Sequence, residues 1–452
     1  MLRPRWPFPG SPYRSAWLPA AAWLVWNGPG LLAQGVGEYT VYPIPVESPS
    51  HTTPAPPADA RLLEVAPADP IASPFGWHDT DGMTGPEATT LEGNNVRVFT
   101  DEVPPIPPPD CGAGLECTFP LDLSMAPISY SAASQTQIFY WLNLFHDVSF
   151  HHGFDPPAGN FQINTYGGGG AGGDRLEARL RYDINCGPIV AVPPDGSSAA
   201  LNITPCSVGG TTRDGSLDAT VVLHLAGHVL AARLVGGPAN VSCTGNTQSP
   251  IEGWADYVPL LFTIEAGDSG PDPRPYGTYF IGQAPDGAGI RSQPYSTDPA
   301  VNTMSYGDIV TAGNRFDVGE VWAQALWEMT WALIDAHGFD GDIADATGGA
   351  GNQRSLTYVV EGMKLTPCRP SFLDARDGIL AAAQVFNGGE DVCSLWRAFA
   401  AMGMGEDASS TSPNSTQVTE GFAVPASCSA DLFSDGFESG DCAAWSSAAP
   451  GC

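Results

Sequence analysis

The sequence has few positive charges and almost no lysine. Among its 452 residues, 18 are Lys or Arg and 49 are Asp or Glu, and Lys364 is the only lysine. The resulting formal net charge of -31 repels nucleic-acid phosphates and anionic membrane surfaces, so we expect no nucleic-acid partner. Hydrophobic residues nevertheless make up 43% of the chain, which is enough for a packed core and excludes global disorder.

Long apolar runs are scarce beyond the N-terminus, which excludes a protein with several membrane spans. Residues 1–33 combine a basic start, an apolar stretch over residues 16–26 and small residues near Ala33. This order predicts a secretory signal peptide with cleavage near Ala33. The alternative is a membrane anchor, but Pro19 and Pro29 interrupt a run that is already short. We therefore expect a secreted, extracellular protein without a membrane span after cleavage.

The sequence also lacks any Cys-x-x-Cys pair, although it has ten cysteines. An even number of cysteines in an exported chain favours disulfides over metal ligands. Pairing neighbours in sequence predicts the disulfides Cys111–Cys117, Cys186–Cys206, Cys368–Cys393 and Cys442–Cys452. Cys243 and Cys428 are left without an assigned partner.

Predicted strands come first and predicted helices later, which is typical of an α+β fold. The Pro-rich residues 34–72 predict an extended N-terminal segment, and short strands are expected over 73–110 and 176–212. Apolar residues at helical spacing predict helices over 134–152, 217–234, 252–264, 319–336, 372–385 and 391–402. Residues 406–452 predict a Ser/Thr/Pro-rich linker, to residue 427, and an acidic C-terminal tail.

The clearest chemical pattern is a pair of histidines, His224 and His228, within one predicted helix. Residues four apart lie on one face of a helix, where two imidazoles can bind the same zinc ion. The pattern is short, and two histidines packed inside a helix would produce it equally well.

Two acidic residues follow on the next predicted helix. Glu252 is a candidate third ligand, because a carboxylate has this role in many catalytic zinc sites. Asp256 lies one turn later and is placed to accept the second N–H of a ligating histidine. A solvated helix face would show the same spacing, but the neighbouring Trp254 and Tyr257 favour a partly buried helix.

With these residues in view, the sequence resembles the fungalysin family of secreted zinc endopeptidases. The matching stretches include YTVYP at 39–43, SPFGWH at 73–78, GNNV at 93–96, GNFQ at 159–162, EGW at 252–254, GEVWA at 319–323 and LTPC at 365–368. The resemblance implies a thermolysin-like α+β fold with a β-rich N-terminal lobe and a helical C-terminal lobe. The zinc site is expected in the cleft between the lobes, and we place the metallopeptidase domain at residues 73–405.

The resemblance also implies roles for individual residues. By position, His224, His228 and Glu252 correspond to the ligands of Zn²⁺. Asp256 corresponds to the carboxylate that accepts the second N–H of a ligating histidine. A polypeptide is the expected occupant of the cleft, and we expect a monomer.

The sequence differs from the family pattern at positions whose residues take part in catalysis in the family. The HExxH glutamate, which takes a proton from zinc-bound water, is replaced by Leu225. The histidine that stabilises the oxyanion is replaced by Phe316, and residues 186–189 replace a segment that binds substrate backbone. Losing a general base costs about 10²–10⁴ in rate, and losing an oxyanion donor costs about 10²–10³ more.

We therefore expect a secreted, zinc-binding fungalysin homologue whose peptidase activity is impaired or absent. One alternative is an active secreted zinc metalloendopeptidase that uses a non-standard general base. A second alternative is an extracellular structural or binding protein without enzymatic activity.

Overall fold

The structure is a computed structural model that describes residues 37–56, 58–102 and 105–429. The predicted signal peptide and the predicted Cys442–Cys452 disulfide lie outside these residues. None of the helices formed by the described residues combines the length and the apolar character that crossing a bilayer requires.

The strands lie mainly in the first half of the chain. They are β1 (Glu38–Val41), β2 (Leu62–Val65), β3 (Val96–Thr100), β4 (Glu116–Cys117), β5 (Leu176–Leu180), β6 (Ile189–Ala191), β7 (Ala200–Ile203), β8 (Pro205–Val208), β9 (Thr211–Asp214), β10 (Ser409–Ser410) and β11 (Val418–Thr419). A four-stranded sheet has the order β3-β5-β7-β6, in which β3, β5 and β7 are parallel and β6 is an antiparallel edge strand. Buried and half-buried residues alternate along β5, so one face of this sheet covers the core.

The N-terminal segment contributes strands to a sheet. Strand β1 pairs with β2 on one side and with β4 on the other, and its Tyr39 and Val41 are buried. The extended segment predicted over 34–72 thus includes β1, the central strand of a three-stranded sheet, which the sequence pattern did not indicate. The alternation of buried and half-buried residues in β1 covers only four residues, which is too short for recognition in a Pro-rich stretch.

The helices are α1 (Ser131–His151), α2 (Ala219–Leu234), α3 (Ile251–Phe262), α4 (Arg315–His337), α5 (Gly351–Leu365), α6 (Phe372–Val385), α7 (Val392–Ala401) and the short α8 (Ala426–Ser429). The α+β order predicted from the sequence is confirmed, and each predicted helix is present with ends shifted by a few residues. Helix α5 was missed, because its polar start and internal glycine hide an apolar face that becomes buried against α4 and α6.

Three glycines bring the central helices unusually close together. A Cβ on Gly227 of α2 would lie 2.8 Å from the Cα of Ala255 in α3. A Cβ on Gly253 of α3 would lie 2.5 Å from the carbonyl oxygen of Gly319 in α4. Only glycine fits at these crossings, which place the polar faces of α2 and α3 side by side.

Among the described residues, the disulfides are Cys111–Cys117, Cys186–Cys206, Cys243–Cys368 and Cys393–Cys428. The first two were predicted, but the predicted Cys368–Cys393 pair is wrong. Cys243 follows α2, and its carbonyl oxygen accepts a hydrogen bond of 2.8 Å from the backbone N–H of Arg369. Tertiary packing thus joins cysteines that are distant in sequence, which pairing by proximity cannot detect.

Part of the predicted linker is folded against the helical region. Strands β10 and β11 pair, and the carbonyl oxygen of Pro413 accepts a hydrogen bond from the backbone N–H of Gln248. The side chain of Gln248 donates to the carbonyl oxygen of Ser415 at 2.8 Å. Up to residue 429 the segment is therefore structured, because a buried glutamine supplies partners for its backbone.

Candidate metal centre

Helix α2 carries two histidines into a cavity of about 600 Å³. The helix begins where the Asp218 carboxylate accepts a hydrogen bond from the backbone N–H of Thr220 at 3.0 Å. Asp218 also accepts from the backbone N–H of Phe280 at 2.9 Å, which fixes the start of α2 against the following loop. Burial and the charge of Glu47 raise the pKa of Asp218 to about 7.

The three predicted metal ligands meet at one point. The Nε2 atom of His228 lies 3.1 Å from Nε2 of His224, and these atoms lie 3.3 Å and 3.5 Å respectively from Oε2 of Glu252. A tetrahedron with ligand atoms about 2.0–2.1 Å from its centre has edges of about 3.3–3.4 Å. The separations of the three atoms therefore match those of zinc ligands, and the residues present fit that metal.

Glu252 is a buried carboxylate that lacks hydrogen-bond donors in suitable geometry. Its side chain is 2% exposed, and neither of its oxygens makes a hydrogen bond to a described residue. Burial alone would raise its pKa, but the imidazoles of His224 and His228 outweigh burial and lower the pKa of this carboxyl group. The guanidinium of Arg315 lies near Oε1 of this carboxylate, whereas Oε2 faces the two imidazole nitrogens, where a metal ion would balance the remaining charge.

Asp256 orients His224 by contacting Nδ1, the ring nitrogen that faces away from the other candidate ligands. Its Oδ1 lies 2.9 Å from Nδ1 of His224 and, since an ionised carboxylate can only accept, Nδ1 donates and Nε2 keeps its lone pair. Asp256 also accepts from Nε of Arg291 at 2.7 Å and from the hydroxyl of Tyr295 at 2.6 Å. Although burial acts to raise the pKa of Asp256, the charge of Arg291 and the bond to His224 hold it well below its usual range.

Tyr276 also contacts His224. Its hydroxyl donates to the carbonyl oxygen of Thr220 at 2.9 Å and lies 3.3 Å from Nδ1 of His224. The guanidinium of Arg291 lies over its ring, 5.0 Å from the centroid. Burial raises the pKa of Tyr276 well above 10, so the hydroxyl keeps its proton at neutral pH.

Leu225 and Phe316, the two residues that replace catalytic residues of the family pattern, both border the cavity. Leu225 lies in its wall and is 3% exposed. Phe316 lies at its rim, where the guanidinium carbons of Arg315 and Arg291 are 4.9 Å and 5.7 Å from the ring centroid. Among the described residues that line the cavity, Glu252 alone carries a carboxyl group, so no second acidic side chain occupies the place next to Leu225.

Strand β6 forms part of the same cavity. Ile189 and Val190 of this strand line it, together with Cys186 and Pro188 just before the strand. Strand β6 pairs with β7 on one side only, which leaves its other edge available for a further strand. The segment that differs from the family pattern is therefore next to the candidate metal centre.

Four residues of the site were missed in the sequence: Tyr276, Arg291, Tyr295 and Arg315. The first three lie between α3 and α4, in a segment without regular periodicity. An isolated arginine or tyrosine in a loop carries no spacing signal that would connect it to Asp256. Arg315 precedes Phe316 directly at the start of α4, and nothing in its spacing connects it to Glu252.

Comparison with known proteins identifies the family. A profile of the family described as fungalysin metallopeptidase (M36) matches residues 38–408 of this chain. The chain belongs to the fungalysin family. The match begins at β1 and so includes most of the N-terminal segment, residues 34–72, that precedes the metallopeptidase domain predicted at 73–405.

Fungal members of the family with similar sequences are known as extracellular metalloproteinases. They include extracellular metalloproteinase 2 of Phaeosphaeria nodorum, 36% identical over 389 residues (82% of this chain and 58% of the relative). They also include extracellular metalloproteinase MEP of Leptosphaeria maculans, 35% identical over 387 residues (82% and 58%), and extracellular metalloproteinase mep of Aspergillus fumigatus, 33% identical over 403 residues (85% and 60%). The chain thus spans about three-fifths of the length of these relatives.

Membership of the fungalysin family confirms the predicted family resemblance and the predicted α+β fold class. The extracellular relatives, together with the disulfides among the described residues, confirm the predicted secretion of this fungalysin homologue.

Proposed function

We propose that this protein is a secreted zinc-binding fungalysin homologue that retains a polypeptide-binding cleft but hydrolyses peptides poorly or not at all. One observation carries the proposal. Nε2 of His224, Nε2 of His228 and Oε2 of Glu252 converge at separations of 3.1–3.5 Å, while the adjoining wall is formed by Leu225.

The chain's own side chains support metal binding in a fixed orientation. Asp256 holds the Nδ1–H of His224, so that Nε2 faces the site, and Arg291 and Tyr295 hold Asp256. A bound Zn²⁺ would polarise a substrate carbonyl group and acidify a coordinated water molecule.

Proton transfer is the step most affected, because none of the described residues that line the cavity offers a carboxylate besides the proposed ligand Glu252. Leu225 cannot accept a proton, and the hydroxyl of Tyr276 keeps its own because burial raises its pKa. Phe316 cannot donate a hydrogen bond to a developing oxyanion. We expect the combined losses to lower the hydrolytic rate by about 10⁴–10⁷, if the two factors multiply.

The proposed occupant of the cleft is a polypeptide in extended conformation. The open edge of β6 offers backbone groups to an added strand, and its side chains supply an apolar wall. Pro188 has no N–H to donate at the start of this edge, which weakens pairing there relative to a residue with a free N–H.

Metal analysis and a peptidase assay test the proposal together. We expect about one zinc ion per purified chain, loss of that zinc in His228→Ala, and little hydrolysis of casein with or without chelator. Chelator-sensitive hydrolysis at ordinary peptidase rates would overturn the impairment and favour a non-standard general base. A purified protein that binds no zinc would overturn the metal site and favour a purely structural or binding role.

A further inference from the structure

Arg315 lies over the candidate metal centre in an unusual position. It follows Asn314, whose side chain accepts hydrogen bonds from the backbone N–H groups of Phe316 and Asp317 and so begins α4. The Nε atom of Arg315 lies 2.9 Å from Oε1 of the buried Glu252, yet the Arg315 side chain is 73% exposed. One end of the guanidinium thus faces a proposed zinc ligand while the rest faces the cleft.

The terminal nitrogens of Arg315 remain available to a ligand. Within the described part of the chain, neither of them makes a hydrogen bond. The guanidinium groups of Arg315 and Arg291 both lie over the ring of Phe316, and both arginines line the cavity. The position that holds an oxyanion-stabilising histidine in the family is thus flanked by two permanent cations.

The charge of the cleft favours an anion. Glu252 is the one acidic residue among the described residues that line the cavity, and it faces the two proposed histidine ligands. Arg291 is neutralised by Asp256, but the charge of Arg315 and that of a bound Zn²⁺ together exceed the charge of Glu252. Leu225 adds no negative charge where an HExxH site would hold a second carboxylate, so an anionic ligand meets no repulsion there.

Much of the remaining cavity wall is apolar, and the cavity is of limited size. Its walls include the side chains of Ile189, Val190, Val192, Leu225, Phe280 and Ile290. A volume of about 600 Å³ falls in the range of sites that enclose a small ligand. These walls suit the apolar side chains of a short peptide end better than a free mineral anion.

We propose that the cleft retains peptides by their free C-terminal carboxylate, which lies between the metal site and the guanidinium of Arg315, with apolar side chains against the cavity walls. This inference rests on the proposed function, because it requires zinc at His224, His228 and Glu252. It assigns Arg315 as a specificity-determining residue for a peptide acid. A protein that cannot hydrolyse peptides can in this way still capture the ends that other peptidases release.

Calorimetric titration of the zinc-loaded protein tests the inference. The probes are N-acetyl-Leu-Leu with a free carboxylate, the same dipeptide as its C-terminal amide, and isovalerate as a small carboxylate without peptide groups. We expect the peptide acid to bind at least tenfold more tightly than either of the others. In Arg315→Gln, the affinity for the acid falls about tenfold to a hundredfold, while that for the amide is unchanged.

Matched controls separate this inference from the proposed metal site. Arg369→Gln changes an exposed arginine outside the cavity and leaves the affinity for the acid unchanged. Zinc content and circular dichroism are measured for every variant. Full zinc content with equal binding of acid and amide, or with an unchanged Arg315→Gln variant, overturns the inference alone. Absence of zinc in the wild-type protein overturns both the proposed metal site and the inference.

Discussion

The Nδ1 atom of His224 lies 2.9 Å from Oδ1 of Asp256, a residue of the following helix. Arg291 donates to both oxygens of the same carboxylate, at 2.7 Å and 2.6 Å. The orientation of the histidine thus depends on a buried ion pair formed with a loop that follows α3. Through these contacts, residues that are not candidate ligands, Asp256 and Arg291, are expected to influence the affinity of the site for a metal ion.

Replacing Asp256 by asparagine tests this dependence. Asp256→Asn keeps the shape of the side chain but removes its charge, so we expect zinc affinity to fall by about tenfold to a hundredfold. Competition with a chromophoric chelator measures the change, and circular dichroism reports on folding. The exposed Asp286 provides the control, Asp286→Asn, which should match the wild type. Equal zinc affinity in Asp256→Asn and the wild type would contradict an orienting role.

Gly253→Ala tests the close packing that aligns the site. The added methyl group would lie 2.5 Å from the carbonyl oxygen of Gly319 and 2.7 Å from Cβ of Trp322, so α3 and α4 must separate. We expect the free energy of unfolding to fall by about 1–3 kcal/mol, with weaker zinc binding because Glu252 moves with α3. Chemical denaturation measures the loss. Gly341→Ala is the control, because no atom lies within 4 Å of its added Cβ; equal losses in both variants would contradict the packing argument.

Local patterns were enough to predict most helices and to single out His224, His228 and Glu252, which the structure brings together. His224 and His228 are connected by helical periodicity, and Glu252 and Asp256 repeat the same spacing on the next helix. Residues that meet through loops gave no such signal: Arg291 reaches Asp256 from an irregular segment. The burial of α5 and the shape of the cavity likewise depend on tertiary packing, which no short stretch of sequence encodes.

The disulfide from Cys243 to Cys368 is expected to stabilise the fold strongly. It closes a loop with a sequence separation of 125 residues, against 6 for Cys111–Cys117. In the chain-entropy model, these separations correspond to about 5 and about 2 kcal/mol. Paired Cys→Ser replacement at each disulfide, followed by denaturant titration, measures the difference. A larger loss from the short loop would contradict this ordering.

Stability should rise with pH between about 4 and 6.5, in part through two buried histidines. Burial lowers the pKa of both His78 and His152 to about 4, whereas unfolded histidine titrates near 6.5. Between these values the unfolded chain binds more protons than the native one, so acidification favours unfolding. His152→Gln removes up to one proton from this difference and should flatten the dependence of the free energy of unfolding on pH.

Urea titrations at pH 4.5, 5.5 and 6.5 measure the slope for each variant. His78→Gln should flatten it by a similar amount, and the double variant by the sum of both changes, because the two residues share no contact in the described structure. The free energy of unfolding changes at every pH as well in the His152 variant, since Nε2 of His152 donates to the carbonyl oxygen of Ile343 at 2.7 Å and Nδ1 lies 2.8 Å from the hydroxyl oxygen of Thr357. An unchanged slope in both single variants would contradict the assignment to these histidines.

Leu225→Glu asks whether the cleft lacks only its general base. The new carboxylate would enter the cavity wall beside His224, and we expect zinc-dependent hydrolysis of a fluorogenic peptide to rise by about 10²–10⁴. Leu225→Gln has nearly the same shape but cannot carry a proton between water and leaving group, so it should stay at the wild-type rate. Circular dichroism and zinc content verify that both variants are folded and loaded.

The same substitution also separates the two catalytic departures. If hydrolysis appears only when Phe316→His is added to Leu225→Glu, the missing oxyanion donor limits the rate as much as the missing base. If Leu225→Glu alone is sufficient, the two arginines beside Phe316 already stabilise the developing charge. A double variant that binds zinc, remains folded and still fails to hydrolyse peptides would locate the defect in substrate binding along β6, where Pro188 lacks a backbone donor.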